Sequence, residues 1–139
     1  MREIRFSGSV DPSVKEAFTS YSDNIYASRL IPVEGELVKT PEEIDAITRI
    51  NKAYANYFEW LGVPYPGLPL NAFHAVTSEA MAKISETPEV VPNGMYDYDD
   101  ERIYYRRVQR EHSEYTEWIL IHESAHALAH RIQYLLRVS

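Results

Sequence analysis

The stretch "ILIHESAHALAH", Ile119 to His130, carries three histidines at four-residue intervals. It lies in a longer run, from Glu114 to about Arg137, that contains no glycine or proline. Ser113 is a good N-cap, and Glu114 suits the positive first turn of a helix. The run therefore predicts one C-terminal helix of about 36 Å at 1.5 Å per residue, around which the rest of the domain packs.

His122, Glu123 and His126 spell the pattern H-E-x-x-H within this helix. Two histidines four residues apart lie on one helix face, so that one ring nitrogen of each can bind the same zinc ion. Zinc lowers the pKa of a bound water to near neutrality, and an adjacent carboxylate can take its proton. The pattern predicts His122 and His126 as zinc ligands and Glu123 as general base.

The periodicity of apolar residues predicts that the two histidines lie on the buried face of the helix. On that face the alternative to metal binding is a pair of ordinary core histidines hydrogen-bonded to carbonyl groups. The predicted face comprises Tyr115, Trp118, Ile119, His122, Ala125, His126, Ala129, Ile132 or Gln133, and Leu136.

Composition limits the classes of function. The chain has 139 residues, 45% of them hydrophobic and 25% charged, which fits one globular domain. Its formal net charge of -7 argues against nucleic acid or an anionic membrane surface as partner. The absence of cysteine excludes disulfides, thiolate ligands and a cysteine nucleophile. No signal peptide or transmembrane segment is apparent, so we expect a cytoplasmic protein.

The remaining segments predict an α+β fold, with several helices and a small, mostly antiparallel sheet bordering the long C-terminal helix. We expect a single domain over 1–139, with a helical part over 1–70 and the sheet and H-E-x-x-H helix over 71–139. The predicted elements are a helix over about 12–26, a helix starting at Pro41, capped by Thr40 and stopped by Gly62, a strand "NAFHAV", a short helix capped by Thr77 or Ser78, and a hairpin turning at "YDDE".

The segment "WILIHESAHALAH" resembles the active-site helix of the zincins, the H-E-x-x-H zinc metallopeptidases. "GMYDYDDERIYYRR", Gly94 to Arg107, is similar to the strand or hairpin that precedes that helix in the superfamily. The resemblance covers about 71–137. It implies a zincin-like fold, a bound Zn²⁺, and hydrolysis of a peptide or protein substrate in which Glu123 acts as base and proton shuttle. The peptide would add to an edge strand around Arg102 to Val108.

A third zinc ligand is not apparent, although catalytic zinc sites have three protein ligands and an open position. His130 lies about 12 Å along a continuous helix from His122, too far to share its ion unless the helix breaks near Ala127 to Ala129. Three explanations stay open: a truncated chain whose lost part carries the ligand, an upstream ligand such as His74, His112 or an acidic residue of "YDYDDE", or a site that binds metal weakly or not at all.

Two rival functions follow from this gap. One is a catalytically incomplete, zincin-fold interaction domain, and the other is a metal-dependent hydrolase of a non-peptide substrate. The sequence leaves open the oligomeric state, the natural substrate and the role of residues 1–70.

Overall fold

The structure is a computed structural model that describes Glu16 and residues 33–62, 65–86, 89–107 and 114–138, with side chains to residue 133 in the last helix. Apart from Glu16, the predicted helix over about 12–26 lies outside this part, as do Ser113 and His112. The elements are β1 (Glu36–Leu37), α1 (Pro41–Leu61), a 3₁₀ turn (Leu70–Ala72), β2 (Phe73–Val76), α2 (Ser78–Ser85), β3 (Gly94–Asp97), β4 (Arg102–Arg106) and α3 (Glu114–Val138).

The described part of the chain is an α+β structure of three helices and one four-stranded sheet, so the predicted class is confirmed. The helices at Pro41, after Thr77 and from Glu114, the strand at Phe73 and the hairpin were all predicted. Strand β1 was not. None of the described helices is long and apolar enough to cross a membrane.

Helix α1 begins and ends at the predicted residues. Thr40 Oγ1 accepts a hydrogen bond from Glu43 N at 3.1 Å, and Glu43 Oε1 accepts one from Thr40 N at 2.9 Å. This reciprocal capping box satisfies two backbone donors, and Pro41 occupies the first position, where no donor is needed. Gly62 ends the helix with φ at 74°, a conformation that glycine adopts without strain.

The sheet is mixed, with strand order β1-β2-β4-β3. β1–β2 and β3–β4 pair antiparallel, whereas β2–β4 pair parallel, with Phe73 opposite Ile103. Because parallel neighbours need a crossover, the chain leaves β2 through α2 before it returns through the β3–β4 hairpin. Two of the three pairings are therefore antiparallel, in agreement with the predicted sheet.

β4 is an interior strand, so the prediction of an edge strand around Arg102 to Val108 is wrong. It pairs with β2 on one side and β3 on the other, and the residues from Arg102 to Tyr105 are all buried. A strand enclosed in this way has no free backbone groups for an added peptide. The edge strand next to α3 is β3 instead.

The two faces of the sheet are covered differently. One face packs against α1 and α3 and forms the main core, with Phe73, Tyr96, Ile103 and Tyr105 from the strands. The other face packs against α2 in a smaller cluster. That cluster contains Val76, Ala80, Met81 and Tyr104.

The buried face of α3 also differs from the predicted one, by about one residue or 100° of rotation. His122 and His126 are exposed, and Trp118 is 57% exposed. Ser124 can take the inner face because its Oγ donates to Leu120 O at 2.6 Å. The buried residues are Ile119, Leu120, Glu123, Ser124, Ala127, Leu128 and Arg131.

Candidate metal centre

His122 and His126 bring one ring nitrogen each to the same point on the outer side of α3. Their Nε2 atoms lie 3.2 Å apart. Two nitrogens bound to one tetrahedral zinc at about 2.0–2.1 Å are about 3.3 Å apart, so the pair has the separation of two zinc ligands. A hydrogen bond between the two rings has a similar separation.

Glu123 turns inward from the two histidines. It is 7% exposed, and its Oε2 atom is buried with no hydrogen-bond partner among the described residues. Burial raises the pKa of the Glu123 carboxyl, while the neighbouring His126 and His122 oppose the rise. A carboxylate with a raised pKa and an unsatisfied oxygen is a stronger proton acceptor than one in water.

The three side chains form one group. Candidate ligand atoms of His122, Glu123 and His126 all lie within 4.8 Å of one another. The two imidazole nitrogens fit zinc, and the buried carboxylate oxygen of Glu123 without a partner is a second observation that fits an additional polar occupant. No other His or acidic residue of the described part joins this group.

His130 belongs to a different cluster on α3. Its Nδ1 is hydrogen-bonded to Tyr96 Oη at 2.8 Å and lies 3.8 Å from Glu101 Oε1. Its ring also packs edge-on against Tyr98. His130 thus contacts the β3–β4 hairpin and not the H-E-x-x-H group, and it helps to hold α3 against the hairpin.

His74 lies on the opposite face of the sheet from the metal centre. Its Nδ1 is 2.7 Å from Glu36 Oε1, and its ring packs against Tyr104 in the layer under α2. Burial lowers the pKa of His74, against the attraction of Glu36. The structure therefore does not bring His74 to the candidate zinc ligands.

In the acidic hairpin turn, a carboxylate oxygen of Asp97 is hydrogen-bonded to the backbone of the turn itself. Asp97 Oδ1 accepts hydrogen bonds from Asp99 N at 2.9 Å and Asp100 N at 3.1 Å. These bonds shape the turn between β3 and β4. Of the upstream ligand candidates, His112 alone lies outside the described residues.

Two aromatic residues beside the metal centre were predicted to be buried and are exposed. Trp118 stacks on His122 with ring centroids 5.2 Å apart, and Tyr115 stacks on Trp118 at 6.1 Å. With Asn93 and Gly94 they line a recess of about 220 Å³ that reaches His122 and Glu123. The i, i+3 and i+7 spacing of Tyr115, Trp118 and His122 was a usable signal, since such residues share one helix face.

No family model, no curated protein and no solved structure matches the chain.

Proposed function

We propose that the chain is a zinc-dependent metallopeptidase with a zincin-like fold. The observation that carries the proposal is the combination of two exposed imidazole nitrogens 3.2 Å apart with a buried, unsatisfied carboxylate one residue away. His122 and His126 would hold the ion, and Glu123 would act on the nucleophile.

When bound, zinc polarises the scissile carbonyl and lowers the pKa of the attacking water. Glu123 accepts the proton of that water and then delivers it to the leaving amine. Its raised pKa suits both steps, because an ordinary carboxylate is too weak a base at neutral pH. The burial that raises this pKa comes from the contact between α3 and β3.

The β3 edge suits an extended peptide. Arg106 N donates to Asn93 O at 2.8 Å, so these residues form a hydrogen-bonded pair and the next pair, Gly94 with Tyr105, does not. The N–H and C=O of Gly94 therefore point away from β4, toward the outer edge. A peptide added there would run beside Glu123, which favours a peptide over another hydrolysable substrate.

A specific observation supports the catalytically incomplete alternative: within the described residues, the group around His122 holds two histidines and one glutamate and no further ligand. If the two rings hydrogen-bond to each other and bind no metal, the same domain would serve as an interaction module through its β3 edge. Metal content separates the two functions, because a complete site should bind about one zinc per chain.

The test combines metal analysis with one substitution. Protein purified from zinc-replete cells should contain about one zinc per chain and should hydrolyse unstructured peptides. Glu123→Gln should keep the zinc and lose activity by about a hundredfold or more. Glu114→Gln, an exposed glutamate on the same helix, is the matched control and should keep both. Metal-free protein, or activity that survives Glu123→Gln, would contradict the proposal.

A further inference from the structure

Tyr115, Trp118 and His122 form a continuous ladder of rings along the outer side of α3. The planes of Tyr115 and Trp118 are 8° apart and those of Trp118 and His122 are 24° apart. The Tyr115 side chain is 48% exposed and that of Trp118 57% exposed. Two large aromatic side chains thus leave much of their surface in water immediately beside a candidate zinc ligand. Side chains of this size usually bury most of their surface.

The ladder is held in place from the strand side. Asn93 Nδ2 donates to Tyr115 Oη at 2.7 Å, and the Arg106 guanidinium in turn donates to Asn93 Oδ1, through Nε at 3.2 Å and also through Nη2. The ring of Tyr115, on which Trp118 stacks, is therefore held in place before any ligand arrives. A rigid aromatic surface loses little conformational freedom on binding, which is why such surfaces bind well.

The recess beside the ladder has the size of one side chain. Its volume of about 220 Å³ is below the roughly 300 Å³ at which pockets for whole drug-sized ligands begin. Gly94 forms its strand side and Glu123 lies in its lining, so an occupant of the recess would be next to the proposed general base. The recess is thus continuous with the β3 edge along which a peptide would lie.

The charges around the recess select against acidic occupants. Among the described residues, Glu123 lies in the lining of the recess, and the guanidinium of Arg106 is engaged by Asn93, which also lines it. A carboxylate placed here would be repelled, whereas a neutral ring would stack on Trp118.

We propose that Tyr115 and Trp118 are a specificity platform that binds an aromatic side chain of the substrate next to the candidate metal centre. That the bound molecule is a substrate rests on the proposed peptidase function, whereas the binding of an aromatic side chain does not.

The test uses the chain's own two tryptophans. Trp118 is on the platform and Trp60, 79% exposed, is on α1, so a spectrum of labelled protein contains two indole N–H signals. The titration uses metal-free wild-type protein. We expect N-acetyl-phenylalaninamide to shift the Trp118 signal and to leave the Trp60 signal in place. N-acetyl-alaninamide should require about tenfold or more higher concentration for the same shift. Trp60→Phe assigns the signals.

Three results would overturn the inference: equal shifts of both indoles, no shift of Trp118, or tighter binding of N-acetyl-argininamide, which would mean a cation site. A parallel assay compares hydrolysis of peptides that differ only in Phe or Ala at one position. Aromatic binding without any hydrolysis leaves the platform intact and rejects the peptidase function. Hydrolysis without aromatic binding or preference supports the peptidase function and rejects the platform.

Discussion

Gly94 of β3 faces Glu123 of α3 so closely that the strand has no room for a side chain there. A Cβ atom at position 94 would lie 3.1 Å from Glu123 Cγ and 2.5 Å from Ile119 Cγ2. The glycine thus allows the edge strand to lie directly on the helix that carries the candidate centre, and this contact removes water from the carboxyl of Glu123.

We predict that Gly94→Ala lowers the free energy of unfolding by about 1–3 kcal/mol, because the added methyl group pushes the strand off the helix. Urea unfolding measures the loss. In an Ile119→Ala background, the nearest atom is gone and the cost of Gly94→Ala should fall by at least about 0.5 kcal/mol. Strictly additive losses would show that the contact is not the cause.

Glu123→Gln should stabilise the metal-free protein. Burial raises the pKa of Glu123 in the folded state, so the carboxylate costs stability at pH values above its unfolded pKa of about 4.3. That cost decreases as the pH falls through the folded pKa and is gone below the unfolded pKa. A neutral glutamine avoids it, and we expect a gain of about 1 kcal/mol at pH 7 that vanishes in acid. Thermal unfolding at several pH values measures it, with Glu114→Gln as control. A less stable Glu123→Gln protein would contradict this prediction.

Glu43→Gln should have the opposite effect. Glu43 is 3% exposed and Arg107 binds its carboxylate through Nη2 at 2.6 Å and Nε at 2.9 Å. Losing one partner of such a pair costs about 3 kcal/mol, because the other charge stays partly buried without compensation. Glu42→Gln, the exposed neighbour in the same turn, should cost less than about 0.5 kcal/mol.

The loss from Glu43→Gln should depend on pH. Burial raises the pKa of Glu43, but the hydrogen bonds from Arg107 and from Thr40 N outweigh it, so the pKa lies below its ordinary value. The carboxylate therefore contributes stability above the unfolded pKa of about 4.3, and loses it as the pH falls through the folded pKa. The wild type and the variant should approach equal stability in that acid range, and a gap that stays constant would refute the ion pair as its source.

The two kinds of histidine on α3 should separate in a zinc titration. His126→Ala removes one of two converging nitrogens and should weaken zinc binding by more than the roughly 10–100-fold typical of residues that only support a ligand. His130→Ala should leave zinc binding within about tenfold of wild type and cost about 1 kcal/mol of stability, through its bond to Tyr96. Competition with a chromophoric chelator measures both. Equal losses of zinc affinity would make His130 a ligand.

Local signals in the sequence predicted much of the fold. The N-cap at Thr40, the stop at Gly62 and the extent of α3 each depend on residues close together along the chain, and each was predicted. The parallel pairing of β4 with β2 joins residues far apart along the chain, and it was not predicted. Its unbroken run "IYY" is typical of a strand buried on both faces, which was the available sign that β4 is interior.

The residues of the candidate centre were predicted, but their orientation was not. Apolar periodicity assigned Trp118 and the two histidines to the core. The structure instead buries Glu123, Ser124 and Arg131 and exposes the tryptophan. Counting apolar residues fails where a helix buries polar side chains and presents rings to solvent. The peptidase activity stays a prediction.

The interior position of β4 has a consequence for how the protein is made. β1, α1 and β2 are synthesised before β4, so Phe73 and Ala75 have no parallel partner strand until the hairpin is made. The β3–β4 hairpin carries Gly94, and α3, which follows it, carries Glu123 and the two histidines. The sheet and the candidate centre are therefore completed together, and a nascent chain halted before Arg102 has neither.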